Sequence, residues 1–170
     1  MRCAIREFHA ADFARLCEIE QRCFPPGMAF PPAVLSGFIR QRNAFTLVAE
    51  SDRPPGSPEE PAAWIAGFLV GEKLRRTVGR FVALDVTPEA RRRGVAAGLL
   101  AAGEERLRLA GCRQVLLETA VNNEAALELY RRHGYAVLKT LVNYYPSHAL
   151  DAYQLGKRLP ARGPSRESSS

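Results

Sequence analysis

Leu84-Asp85-Val86-Thr87-Pro88-Glu89-Ala90-Arg91-Arg92-Arg93-Gly94-Val95-Ala96-Ala97 joins the apolar end of a predicted strand to a basic, glycine-bearing helix start. The helix runs on through Gly98, Leu99 and Leu100, and its first amides have no carbonyl partner within the helix. Those amides, beginning at Val95, sit at the positive end of the helix dipole, where they can cradle an anion. Gly94 and the small side chains of Ala96 and Ala97 let phosphate oxygens approach the backbone, and Arg91, Arg92 and Arg93 add charge that a phosphate can pair with. A solvated, arginine-rich helix start is the competing reading of this loop taken alone. It is neither a Walker loop, which needs Gly-Lys-Ser/Thr after four spacer residues, nor a Rossmann turn with three spaced glycines.

Around this stretch, 170 residues of which 46% are hydrophobic suit one domain with a sizeable core, expected over 1–159. The serine-rich residues 160–170 read as a disordered tail, and Ser51 to Pro61, rich in proline and charge, as a mobile surface loop. The formal charge of +6 can attract nucleic acid, lipid headgroups or a phosphorylated ligand without choosing among them. Cys3, Cys17, Cys23 and Cys112 lie far apart, without CxxC pairing or a nearby histidine at ligand spacing, so no metal site is expected and the thiols read as reduced. There is no signal-like leader and no membrane-length apolar run, which points to a cytoplasmic protein with no membrane partner.

Apolar residues at helical spacing (Phe13, Leu16, Ile19, Cys23) predict a helix capped by Asp12, and a second helix starts at Pro31 and Pro32. Strands are expected at Cys3 to Phe8, Phe45 to Ala49, Ala63 to Val70, Arg80 to Val86, Gln114 to Thr119, Tyr135 to Tyr145 and Ala152 to Leu159. Helices from about Arg93 to Ala110 and from Asn123 to His133 end at Gly111 and Gly134. This order implies an α+β fold, a mixed sheet flanked by helices.

Leu117-Glu118-Thr119-Ala120-Val121-Asn122-Asn123-Glu124-Ala125-Ala126-Leu127-Glu128-Leu129-Tyr130-Arg131-Arg132-His133-Gly134-Tyr135 resembles the second half of the GNAT N-acetyltransferase core: a strand, an Asn-Xaa-Xaa-Ala helix start, a Leu-Tyr pair and a Gly-aromatic step. The basic loop before Gly94 is similar to that family's acyl-CoA pyrophosphate loop, so the two motifs identify the chain as a member of the family. The resemblance implies a mostly antiparallel sheet splayed in the middle, acetyl-CoA as cosubstrate, and Leu84 and Val86 holding the pantetheine arm through their main chain, with Asp85 and Tyr130 also among the cofactor-binding residues. It implies Glu118 as general base acting through a water, with a loop-capping surface glutamate as the alternative. Tyr130 matches the general acid, or else is a core tyrosine. Asn123 binds the cofactor arm or caps its helix. Asp85 departs from the small residue usual there, and orients an amine or is solvated. An α-amine has a pKa near 8, so a base need only tip its deprotonation, and a phenol near 10 can assist a thiolate leaving group without strong perturbation.

A closer resemblance is to RimI-type ribosomal-protein alanine and other protein N-terminal acetyltransferases. Glu18-Ile19-Glu20-Gln21-Arg22-Cys23-Phe24-Pro25 is similar to their substrate arm, and Asn143-Tyr144-Tyr145-Pro146 with Asp151-Ala152-Tyr153 to their peptide-binding hairpin. Phe24, Pro25, Tyr144 and Tyr145 are therefore implied as acceptor-binding, although paired tyrosines can also simply pack on the arm. No Trp follows Pro25, the loop after Pro146 is shorter, and Val142 replaces a basic residue. The implied partner is a protein N-terminus, a ribosomal protein included, with oligomeric state open. A small-molecule amine acetyltransferase, and a non-catalytic acyl-CoA sensor or nucleic-acid module, are the competing functions; nothing in the chain resembles a nucleic-acid fold. His133 and His148 read as structural or solvated.

Overall fold

The computed structural model of the chain describes residues 3–51 and 64–161. The segment 52–61 and the tail from residue 162, both expected to be mobile, lie outside these residues. Ser51 itself is buried at the end of a strand, so the expected loop does not begin there.

Eleven principal elements follow in order: β1 (Ala4–Glu7), α1 (Phe13–Cys23), α2 (Pro32–Ile39), β2 (Ala44–Ser51), β3 (Trp64–Arg75), β4 (Val78–Val86), α3 (Val95–Leu109), β5 (Gln114–Ala120), α4 (Glu124–Arg132), β6 (Ala136–Tyr145) and β7 (Leu150–Arg158). The strands form one sheet in the order β1-β2-β3-β4-β5-β7-β6. Among the described strands only β4 and β5 run parallel; every other neighbouring pair is antiparallel. The expected mixed, mostly antiparallel sheet flanked by helices is what the chain folds into.

Helices bury opposite faces of this sheet. On one side α3 packs Leu99, Leu100 and Leu107, all essentially inaccessible, against Leu69, Phe81 and Leu117. Their i, i+1, i+8 recurrence makes a continuous stripe, and each buried leucine contributes about 2 kcal/mol of transfer free energy. Gly103 falls where a methyl group would press on the Phe81 ring, so the helix sits close to the strand there. On the other side α1 and α2 bury Leu16, Ile19 and Leu35 against Val48, Phe68 and Val70.

Asp12 does not cap α1 as the sequence suggests. Its carboxylate accepts from the His9 amide at 2.8 Å and is gripped by Arg6, which closes the short turn before α1 instead. The guanidinium of Arg6 holds the Asp12 carboxyl below the usual carboxylate range. The turn between β3 and β4 is tighter than expected, because both strands extend until only Arg76 and Thr77 separate them.

Two local features open the sheet. Opposite β3, Val70 pairs with Ala83 while Gly71 pairs with Phe81, so Val82 is an extra residue in β4. Such a bulge bends its strand and sharpens the twist. Pairing between β4 and β5 then stops at Phe81 and Leu117, and the strand ends Val82 to Val86 and Glu118 to Ala120 diverge. On its far edge β5 stays paired with β7 through Ala120. A slot is left in the middle of the sheet.

Candidate active site

The slot has two kinds of wall: main-chain edges and side chains. Along a strand, successive residues direct their main-chain groups to opposite edges. Thr87 donates its amide to the Ala66 carbonyl on β3 at 2.9 Å, so Asp85 also faces β3, whereas Leu84 and Val86 present theirs to the slot. Both are expected to hold an elongated ligand through the backbone, and both lie on the open edge. The Val86 carbonyl already accepts from Arg91 Nε at 3.3 Å and from Cys23 Sγ at 3.4 Å. Burial, then the nearby Asp85, pushes the Cys23 thiol up to about 11, so it stays protonated and serves as a donor.

At one end of the slot lies the helix start read from the sequence. Gly94 is the residue before α3 and has φ of 81°, in the left-handed region; Arg92 is also left-handed at 59°. A Cβ on Gly94 would meet nothing within 4 Å, so conformation rather than space requires glycine there. The ladder of α3 begins with the Gly98 amide donating to the Gly94 carbonyl at 3.0 Å, leaving the amides of Val95, Ala96 and Ala97 ahead of it. Arg92 and Arg93 are exposed at this end, while Arg91 turns back to Val86.

The other end is a cleft on the α1/α2 face, lined by Glu20, Phe24, Met28, Phe30, Arg80, Leu84, Asp85, Glu118, Asn123, Tyr130, Tyr144 and Tyr145 among others. Glu118, on β5, is 14% exposed at its side chain. Gln154 Nε2 donates to its Oε1 at 3.2 Å, and Arg80 Nε lies 3.5 Å from its Oε2. This setting is not that of a solvated loop cap. Arg80 is shared with Glu72, also at 3.5 Å.

Tyr130 is 8% exposed and stacks at a tilt on Tyr135 with ring centroids 5.7 Å apart. Its phenol is strongly perturbed, contrary to expectation: burial first, and then the neighbouring Asp85, raise it far above the usual tyrosine value. It therefore stays protonated at any working pH. Tyrosine 130 is at once a core residue and part of the cleft lining, so the two sequence readings do not exclude each other. Asn123 caps α4, its Oδ1 accepting from the Ala126 amide at 3.2 Å, and it also lines the cleft.

Tyr144 and Tyr145 meet edge to face at 5.0 Å between centroids and line the cleft together with Phe24. Burial raises both phenols, Tyr145 to about 12. Ser147, in the turn after β6, donates to the Gly27 carbonyl at 3.2 Å and ties the hairpin to the arm after α1. Pro25 is exposed and lies outside the cleft lining. His133 contacts the Leu129 carbonyl and His148 the Ser147 hydroxyl, so both serve local structure.

Asp85 is 3% exposed, which excludes a solvated role, and its carboxyl turns away from the slot edge toward Glu20, which is 1% exposed. Glu20 was not singled out from the sequence, although it lies four residues after Leu16 and one after Ile19, on the stripe that α1 buries. Arg80 and Gln154, which hold Glu118, carried no sequence signal. Among the described residues no group of side chains could hold a metal ion, and no helix is long and apolar enough to cross a membrane. All four cysteines are free.

Residues 13–135 match the acetyltransferase (GNAT) family. N-alpha-acetyltransferase 30 of Saccharomyces cerevisiae is 30% identical over 118 residues, 69% of this chain and 66% of that protein. The chain thus spans about two thirds of that relative's length. The N-alpha-acetyltransferase of Sulfurisphaera tokodaii is 32% identical over 159 residues, 91% of this chain and 92% of that one. Among solved structures, Ard1 from Thermoplasma volcanium superposes with a TM-score of 0.78 at 25% identity, covering 94% of this chain and 99% of its own.

Proposed function

The chain belongs to the GNAT acetyltransferase family, and from that premise we propose that it transfers an acetyl group from acetyl-CoA to the α-amine of a protein N-terminus. The observation that carries this reading is the slot between β4 and β5, with an anion-binding helix start at one end and an acidic, aromatic cleft at the other. In this reading the amides from Val95 to Ala97, with Arg92 and Arg93, hold the pyrophosphate, and Leu84 and Val86 align the pantetheine arm. The acceptor's first residues lie between Phe24 and the Tyr144–Tyr145 pair.

Glu118 accepts the ammonium proton through a water, and the freed amine attacks the thioester carbonyl. The C–N bond forms, the C–S bond breaks, and CoA leaves as the thiolate, which takes up the second proton lost by the nitrogen and departs as the thiol. Tyr130, kept protonated by burial, donates a hydrogen bond to the sulfur as charge develops on it. A main-chain amide near Val86 polarises the carbonyl.

Two observations favour a peptide over a compact amine: the Ser147–Gly27 tie that joins the hairpin to the arm beside the cleft, and the similarity over 91% of the chain to a relative named for N-alpha-acetylation. A peptide-library acetylation screen with labelled acetyl-CoA, including the N-termini of ribosomal proteins, tests the proposal. Turnover of free N-terminal peptides is expected. Turnover of polyamines or aminoglycosides with no peptide acetylated would replace it with a small-molecule function.

A further inference from the structure

The floor of the cleft holds a pair of carboxyls that the proposed reaction leaves unused. Glu20 comes from α1 and Asp85 from β4; both are almost completely buried and both line the cleft. Glu20 Oε1 accepts from the Phe30 amide at 2.8 Å. Oε2 of Glu20 and Oδ2 of Asp85 are buried oxygens with no donor among the described residues. Two ionised carboxylates buried without a donor would cost several kcal/mol, so the pair is relieved either by a proton held on Asp85 or by a cation that enters the cleft.

The surroundings deepen this asymmetry. Three carboxyls, Glu20, Asp85 and Glu118, line the cleft against one guanidinium, Arg80, which is itself drawn to Glu72 and Glu118. A chain of net charge +6 thus carries a local excess of negative charge where its acceptor enters. Asp85 sits on β4 between Leu84 and Val86, with its side chain on the acceptor face of the sheet.

We propose that Glu20 and Asp85 together form the subsite that receives the acceptor's ammonium group and positions it for reaction. This rests on the reading of the cleft as an amine acceptor site. The ammonium supplies the donors that Oε2 and Oδ2 lack and compensates their charge. Its pull on the cleft is also what makes an uncharged analogue, or the acetylated product, a poorer ligand. The groups facing Asp85 are Glu20 and Cys23 from α1, Arg91 from the turn before α3, Tyr130 from α4 and Tyr145 from β6. Of these only Arg91 is cationic, and it opposes the strong upward push on Asp85 that burial and Glu20 exert. Before an acceptor binds, Asp85 therefore keeps its proton, and an arriving ammonium displaces it.

The test compares the best acceptor from the screen with its own N-acetylated form, each binding to the CoA-loaded protein. In the wild type the free amine binds at least tenfold more tightly than the acetylated form. Asp85→Asn removes this preference by at least tenfold, with less than a twofold change for the acetylated ligand, and kcat/KM falls through the acceptor KM. Glu20→Gln acts in the same direction, and titration in buffers of different ionisation enthalpy registers a proton released on binding that Asp85→Asn abolishes. Equal loss for both ligands, or an unchanged preference, overturns the proposal. If the screen yields only a small amine, the N-terminal reading fails, and that amine and its acetamide decide the role of the pair in the same way.

Discussion

Glu118 and Tyr130 carry the sharpest predictions at the scale of single residues. Glu118→Gln keeps the contacts to Gln154 and Arg80 within reach while removing the proposed base. A fall in kcat of about a hundredfold with acetyl-CoA affinity within twofold is expected, measured by steady-state kinetics and calorimetry. An unchanged kcat across the pH range would remove the base assignment. Tyr130→Phe deletes one hydrogen bond to a developing charge, worth about 1.5–3 kcal/mol, and so lowers kcat by roughly ten- to a hundredfold. Because burial raises the phenol so far, the basic limb of the wild-type pH profile does not come from Tyr130, and Tyr130→Phe leaves its position unmoved. Asp85 gives a stability test. Its folded-state pKa lies above the unfolded value, so its contribution is fully present at low pH and is lost as pH rises through the folded value. Asp85→Asn should therefore melt higher than the wild type at neutral pH, and the difference should shrink as pH falls toward the ordinary carboxylate range.

Among the elements, α3 and β4 do most to shape the site, and each depends on a residue that departs from ideal geometry. Gly94→Ala forces a side chain into a left-handed conformation with no clash to relieve, which costs about 1 kcal/mol. The KM for acetyl-CoA should rise with little change in kcat, because the altered backbone belongs to the proposed anion site rather than to the acceptor cleft. Gly67 is constrained by space instead: a Cβ there would lie 2.5 Å from the Asp85 carbonyl, so Gly67→Ala pushes β3 from β4 at the root of the slot. The positions of α3 and α4 were legible in the sequence because their apolar stripes, Asn123 and the terminal glycines act within one or two turns. The cap assigned to Asp12 failed because Arg6, on a neighbouring strand, competes for the same carboxylate. Val82 as the bulge was not legible, since an extra residue is defined only by the strand it is paired against.

For the molecule as a whole, the slot is a gap in an otherwise continuous sheet, and a ligand that fills it replaces missing strand pairing. Hydrogen exchange should show the amides of the slot edge of β4 and of Val95 to Ala97 gaining protection when acetyl-CoA binds. The last turn of α3, at the opposite end of that helix from Val95, should not change. Protection spread evenly over the sheet would contradict a slot-bound cofactor. The sequence by itself determined the sheet-and-helix order and the basic, glycine-bearing helix start before α3, because periodicity, capping and loop chemistry are written in neighbouring residues, while Glu118, Asn123 and Tyr130 follow from the resemblance to the GNAT core. Only the tertiary structure decided what those residues meet: Glu118 held by Arg80 and Gln154, Tyr130 buried and kept protonated, and Asp85 turned to Glu20 sixty-five positions away. The reason is physical. Burial and the charges brought near a group set its protonation and reach, and both depend on which distant segments the fold packs together.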